Sequence, residues 1–279
     1  MTVQSPLWPA RLHHIKITSD QPAILLDFYQ RVMEPKISEV TDGLWHLEGA
    51  ERNFLIGRGP RNGLGFSAFA IDEVDRVHAL KTYVADQGIE TLPSPTPLFG
   101  KEAFAVKDPD GNTLVFGTPE AQSTGTDRLP GRLQHSVVGT PQLDALIDFR
   151  LKLGFVISDE VKDEDGALTA VFLRADPEHH SQAMFNTREP KFDHDSMETT
   201  SWNDIRDWAD HLGDMRMELS WGPGRHGPGN NLFFMIPDAD GNMVELSAEI
   251  ELMDKDMPAR LWPHEPHTLN LWGVAWMRK

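Results

Sequence analysis

Residues 10–33, ARLHHIKITSDQPAILLDFYQRVM, open with alternating apolar and polar positions. They then cross a turn containing Pro22 and continue with apolar residues at helical spacing. A period of two followed by a period near 3.6 predicts a strand and then an amphipathic helix. Residues 131–155, GRLQHSVVGTPQLDALIDFRLKLGF, follow the same pattern. An offset of 121 aligns Leu12 with Leu133, His14 with His135, Asp27 with Asp148 and Phe28 with Phe149. A second match, at an offset of 130, sets KDPDGNTLVFG at 107–117 against PDADGNMVELS at 237–247. The shared D-x-D-G-N predicts a tight turn into a final strand. Chance could produce one such match; two in the same order with nearly equal offsets indicate duplication.

Each half is itself double. In the first, LGFSAFAI at 64–71 predicts another strand, followed by the helical VDRVHALKTYVADQG and by strands ending at DPDGNTLVF. In the second, FDHDSMET at 192–199 opens a further unit, followed by the helical NDIRDWADHLG. The expected fold is therefore α+β, with four βαβββ modules in two tandem domains: residues 1–120 and 131–279. A polar linker rich in turn formers, residues 118–131, joins them. Residues 251–279, with Trp262, Trp272 and Trp276, form a tail expected to pack over the second domain or against a partner subunit, with no chemistry assigned to it.

Composition narrows the chemistry. Forty-three acidic residues against 26 Lys plus Arg give a net charge of −17, which argues against nucleic acid as a partner. No apolar run is long enough for a membrane span, and the start shows no signal-peptide pattern. Cysteine is absent, so thiolate metal sites, disulfides and cysteine nucleophiles are excluded. A soluble cytoplasmic protein is the expectation. Twelve histidines make nitrogen and oxygen metal ligation the chemistry to test first.

Comparison of the halves isolates the candidate site. At three aligned positions the second half has His135, His194 and Glu245, where the first has His14, Phe66 and Val115. Two histidines and a carboxylate on strands make a facial ligand set for a divalent metal, with the opposite positions open to substrate and dioxygen. A single histidine is more often structural. An ionised Glu245 between Val244 and Leu246, however, is costly in a strand unless paired or metal-bound. The first half, with His14 alone, reads as a decayed site.

Paired βαβββ modules with His135, His194 and Glu245 resemble the vicinal oxygen chelate superfamily and its glyoxalase-like domains. The two-domain length is closer to the type I extradiol ring-cleaving catechol dioxygenases. G-P-G-R-H-G at 222–227 is the most specific piece of that likeness. The resemblance implies ferrous iron, Fe(2+), with Mn(2+) as the alternative, a small aromatic diol and O2 as substrates, and a homo-oligomer. It implies an acid–base and oxygen-orienting role for His226, and a place near substrate and oxygen for His180. The strand pattern of H-H-S-Q-A-M-F alone leaves His179 and His180 equally able to point inward. By the same resemblance Val137, Phe172 and the loop after Trp221 line the pocket. Ring opening beside a diol needs a base for the second hydroxyl and an acid for the peroxide, work suited to histidine.

One position departs from the pattern. Nine residues after the acid–base histidine, where the family commonly has a tyrosine, stands Met235, which cannot donate a hydrogen bond. Alternation through Leu232–Ile236 predicts that Met235 shares the metal-facing side with Phe233. Met235 mildly favours a second reading, a divalent-metal isomerase or lyase built on the same triad. A third reading is a non-catalytic small-molecule binder.

Overall fold

The computed structural model describes residues 4–120 and 127–277. Residues 121–126 of the predicted linker lie outside the described residues. The first module comprises β1 (Arg11–Ser19), α1 (Pro22–Met33), β2 (Lys36–Thr41), β3 (Leu44–Glu48) and β4 (Asn53–Arg58). The second comprises β5 (Gly63–Ala70), α2 (Val74–Asp86), β6 (Leu92–Pro93), β7 (Phe104–Lys107) and β8 (Thr113–Gly117). The third runs through β9 (Arg132–Thr140), α3 (Leu143–Leu153), β10 (Val156–Lys162), β11 (Leu168–Arg174) and β12 (Gln182–Asn186). The fourth holds β13 (Lys191–Thr199), α4 (Trp202–Asp214), β14 (Trp221–Arg225), β15 (Leu232–Pro237) and β16 (Met243–Ala248). The tail adds β17 (Arg260–Pro263) and the short α5 (Pro266–Leu269).

Each half forms one curved sheet. The first has the order β2-β3-β4-β1-β5-β8-β7-β6, and the second β14-β15-β16-β13-β9-β12-β11-β10-β17. The two modules of a half meet at the antiparallel pair β1–β5 or β9–β13. The helices bury one stripe against the sheets. In α1 that stripe is Leu25, Phe28, Tyr29, Val32 and Met33. The α3 helix stops at Gly154, whose φ of 110° suits the left-handed cap.

The duplication extends to the contacts between halves. In both D-x-D-G-N turns the first aspartate accepts two backbone N–H groups through Oδ1: Asp108 from Asp110 and Asn112, and Asp238 from Asp240 and Asn242. Each of these aspartates receives a side chain from the first helix of the other half. Arg150 binds Asp108 at 2.9 Å in a fully buried ion pair, and the Tyr29 hydroxyl donates to Asp238 at 3.4 Å. Arg150 and Tyr29 are themselves related by the offset of 121.

The concave faces of the two sheets differ. That of the first half is packed solid by an apolar cluster containing Leu55, Phe66, Ala68, Phe99 and Val115. That of the second half carries apolar walls around Phe172 and Trp221 and leaves a cavity between them. Among the described residues no helix is long and apolar enough to cross a membrane.

Candidate active site

His135 lies on β9, His194 on β13 and Glu245 on β16, three neighbouring strands. Register sets His135 opposite Ser196, and Ser196 beside Glu245. In the first half the same rungs join His14 to Ala68 and Ala68 to Val115, with Phe66 at the place of His194. The paired positions of the two halves therefore agree residue for residue.

The three side chains converge. His135 Nε2 and His194 Nε2 are 3.4 Å apart, His135 Nε2 is 3.9 Å from Glu245 Oε1, and His194 Nε2 is 3.6 Å from Glu245 Oε2. All three residues are buried. Their tautomers follow from the groups behind them. His135 Nδ1 faces the Gln134 side-chain oxygen, and His194 Nδ1 lies 2.8 Å from Asp193 Oδ1. Both partners accept, so both Nδ1 atoms carry the proton and both Nε2 lone pairs point inward.

Glu245 is held on one side only. Oε1 accepts from Ser196 Oγ and from Asn231 Nδ2, each at 3.2 Å, while Oε2 faces the histidines. Burial alone would raise this carboxyl; the imidazoles of His226, His135 and His194 more than offset it and hold it at about 2. Burial outweighs the Glu245 charge at His135 and takes that imidazole down to about 3. An ionised carboxylate beside a neutral imidazole is the protonation state a divalent cation requires. Among the described residues no Lys or Arg lines the cavity. A buried anion without a cationic side chain, facing inward lone pairs, fits a metal ion and is costly otherwise.

His226 directly follows β14, the strand that holds the first four residues of G-P-G-R-H-G. Gly222 has a φ of 89°, and a Cβ there would lie 2.7 Å from Phe233 O. The His226 ring stacks on Phe233 with centroids 3.7 Å apart. Its Nδ1 is 2.6 Å from the Leu269 carbonyl, which can only accept, so Nδ1 carries the hydrogen and Nε2 is the nitrogen turned to the site. That atom stands 3.7 Å from Glu245 Oε2, beyond hydrogen-bond range.

The histidine doublet precedes β12 instead of lying in it, and both rings are buried. Asp159 Oδ2 is 2.9 Å from His179 Nε2 and is also bound by Arg260 and Trp262. It stays ionised, because the bonds from His179 and Arg260 outweigh its burial. His179 therefore donates through Nε2 and accepts at Nδ1 from His180 Nδ1, 2.9 Å away. His180 is left neutral, burial holding it well below its usual range, with Nε2 as its unshared nitrogen. It is His180 that lines the cavity.

The same cavity is bounded by His135, His194, Glu245, His226, Val137, Phe172 and Met235, so with His180 the structure brings together the site residues expected in the second half. Met235 pairs with Trp221 on one side and Glu245 on the other, and neither tyrosine lines the cavity.

Sequence reasoning missed Gln134, Asp193, Asn231 and Asp159, and it assigned no chemistry to the tail. The tail packs on its own half: β17 pairs with β10, Trp221 Nε1 donates to Val274 O, and Leu269 both lines the cavity and anchors His226. Arg260 and Trp262 fix Asp159, and through it the doublet. The one available signal was polar residues adjoining each ligand histidine, which ideal strand alternation would place on the opposite face.

Comparisons with known proteins agree with this fold. A family model described as the Glyoxalase/Bleomycin resistance protein/Dioxygenase superfamily matches residues 11–116 and again 132–246. The chain is 26% identical over 231 residues to Metapyrocatechase 2 of Cupriavidus necator, covering 74% of this chain and 69% of that protein. It is 29% identical over 214 residues to the Metapyrocatechase of Pseudomonas sp. (strain CF600), covering 69% of each. In fold it is similar to homoprotocatechuate 2,3-dioxygenase from Arthrobacter globiformis, with a TM-score of 0.84, 24% identity, and 99% and 91% of the two chains covered. The enzyme from Brevibacterium fuscum, in complex with 3,4-dihydroxyphenylacetate, gives a TM-score of 0.83 at 22% identity, with 98% and 91% covered. Matched in both halves, and over most of its length, the chain belongs to the Glyoxalase/Bleomycin resistance protein/Dioxygenase superfamily.

Proposed function

We propose that the protein is an extradiol dioxygenase that opens the ring of a small catechol beside its two hydroxyls, using O2 and Fe(2+) held by His135, His194 and Glu245. The observation that carries this reading is the convergence of three unshared ligand atoms, two Nε2 and one Oε2, beside His226 in an otherwise apolar cavity. The names of the metapyrocatechase relatives support the substrate class. Residues 131–279 form the catalytic domain in this reading, and residues 1–120 serve as scaffold.

When bound, the metal supplies redox activity and open positions for a chelating diol and for dioxygen. The remaining work falls to the chain. Val137, Phe172 and Met235 exclude water and take the faces of the ring. His180, neutral and with Nε2 unshared, accepts a proton or hydrogen bond from a substrate hydroxyl. His226 holds and returns a proton at Nε2, while Leu269 fixes its tautomer. Glu245 supplies the sole anionic charge in the cavity wall.

The test is oxygen uptake by anaerobically Fe(2+)-loaded protein given a panel of catechols. Uptake with loss of the aromatic absorbance supports the reading. Glu245→Gln should lose metal and activity together. Tight metal binding without uptake on any catechol overturns the dioxygenase assignment in favour of redox-neutral chemistry.

A further inference from the structure

The polar strip that carries Glu245 continues past it. Alternation puts His194, Ser196 and Glu198 on one face of β13, and Met243, Glu245 and Ser247 on one face of β16. Parallel register sets Ser196 beside Glu245 and Glu198 beside Ser247. Their side chains form an unbroken row. Ser196 Oγ is 3.2 Å from Glu245 Oε1, the two serine hydroxyls are 3.0 Å apart, and Ser247 Oγ is 2.6 Å from Glu198 Oε2. Glu198 Oε1 accepts the Ile250 N–H at 2.9 Å. The row begins at the metal-site carboxylate and ends in a separate cleft of about 560 Å³. The charged groups facing Glu198 there are Arg132 and Glu178, with Glu51, Asp127 and Glu249 further along the wall.

Proton counting decides how the row works. Three oxygen–oxygen contacts need three hydrogens, and two serines supply two. With both carboxylates ionised, one contact has no hydrogen in it. A proton on Glu245 would oppose cation binding, so the third hydrogen belongs on Glu198 Oε2. With Glu198 protonated the row would run one way: Glu198 to Ser247, Ser247 to Ser196, and Ser196 to Glu245.

We propose that protonated Glu198 is a positioning residue for Glu245, acting through Ser247 and Ser196 to hold Oε1 and leave Oε2 turned towards His194. Ionisation of Glu198 turns the Ser247 hydroxyl outward and leaves the Ser196–Ser247 contact without a hydrogen, so Ser196 is no longer fixed as the donor to Oε1. The inference rests on the reading of Glu245 as a metal ligand. It is supported by the state of Glu198 itself, which burial and the nearby Glu178 push up to about 7 against the bonds from Ser247 and Ile250 and the charge of Arg132.

The test uses the metal-free full chain with Co(2+) as probe, reading its visible spectrum and dissociation constant from pH 5.5 to 8.5. The wild type should show a spectral step near pH 7. Glu198→Gln, whose amide can donate to Ser247 at every pH, should lose that step and keep the low-pH spectrum. Glu198→Ala and Ser247→Ala should show the high-pH spectrum throughout and bind Co(2+) about 10-fold more weakly or worse. Superimposable pH profiles for wild type and Glu198→Gln overturn the proposal while leaving the metal site standing. Equal weakening in all variants with the step intact also overturns it, because it marks a merely structural role. Failure of the wild type to bind Co(2+) overturns the metal reading and this proposal with it.

Discussion

Gln134 and Asp193 stand on the neighbouring strands β9 and β13, each the residue that the register skips at a β-bulge, and each binds the Nδ1 of the histidine that follows it. The register passes from Leu133 to His135 on one strand and from Phe192 to His194 on the other, skipping one residue each time. A bulge turns a side chain that regular alternation would send to the other face. Here it brings a polar acceptor alongside its own neighbour. The first half keeps both irregularities, at His13 and Gly65, and His13 Nδ1 lies 2.8 Å from His14 Nδ1. The first half thus has the same local framework without the His, His and Glu set.

Removing either acceptor should loosen the metal without unfolding the sheet. Gln134→Ala and Asp193→Ala are expected to weaken divalent-metal binding about 10- to 100-fold, as outer partners of ligand histidines generally do. Isothermal titration of the metal-free variants measures this. Unchanged affinity in both would mean that the ring orientation is set by packing alone.

His226 belongs to the chemistry and not to metal retention in this account. His226→Phe retains a ring to stack on Phe233 and loses the nitrogen that faces Glu245. Metal content should stay near the wild-type value while turnover falls on the order of 100-fold or more. Metal analysis beside steady-state kinetics separates the two effects, and loss of metal would reassign His226 to the ligand shell.

One metal ion per chain is expected. His14 is buried with its Nε2 on Thr96 Oγ1 at 2.6 Å, and Phe66, Phe99 and Val115 fill the space around it. His14→Ala should leave the metal content unchanged. Elemental analysis showing two tight sites, or loss of metal in that variant, contradicts the decayed-repeat account.

Met235 sets the character of one wall. Directly across from Glu245 and buried, it gives an apolar, deformable surface that cannot donate a hydrogen bond. Met235→Tyr should keep the metal and shift preference towards smaller, unsubstituted catechols. Specificity constants across a substituted series decide this; an unchanged ranking means the side chain does not touch the substrate.

Much of this was legible in the chain because duplication supplies an internal comparison. Equivalent rungs in the two halves expose His135, His194 and Glu245 against His14, Phe66 and Val115. The turn aspartates Asp108 and Asp238 mark the ends of corresponding hairpins. Gln134 and Asp193 were not legible, because a bulge is a register event between strands and leaves no period in either sequence. The histidine doublet was ambiguous for a related reason. Only the bond from His179 to Asp159, a residue twenty positions away and fixed by the tail, shows which ring is free. The role of Leu269 is a backbone carbonyl, on which side-chain pattern is silent.

The most direct test of the central claim is isotopic. Anaerobically Fe(2+)-loaded protein is mixed with a catechol under 18O2, and the ring-opened product is analysed by mass spectrometry. The account predicts one O2 consumed per catechol and both 18O atoms in the product. A bound metal with no oxygen consumed, or a product carrying no 18O, would contradict it.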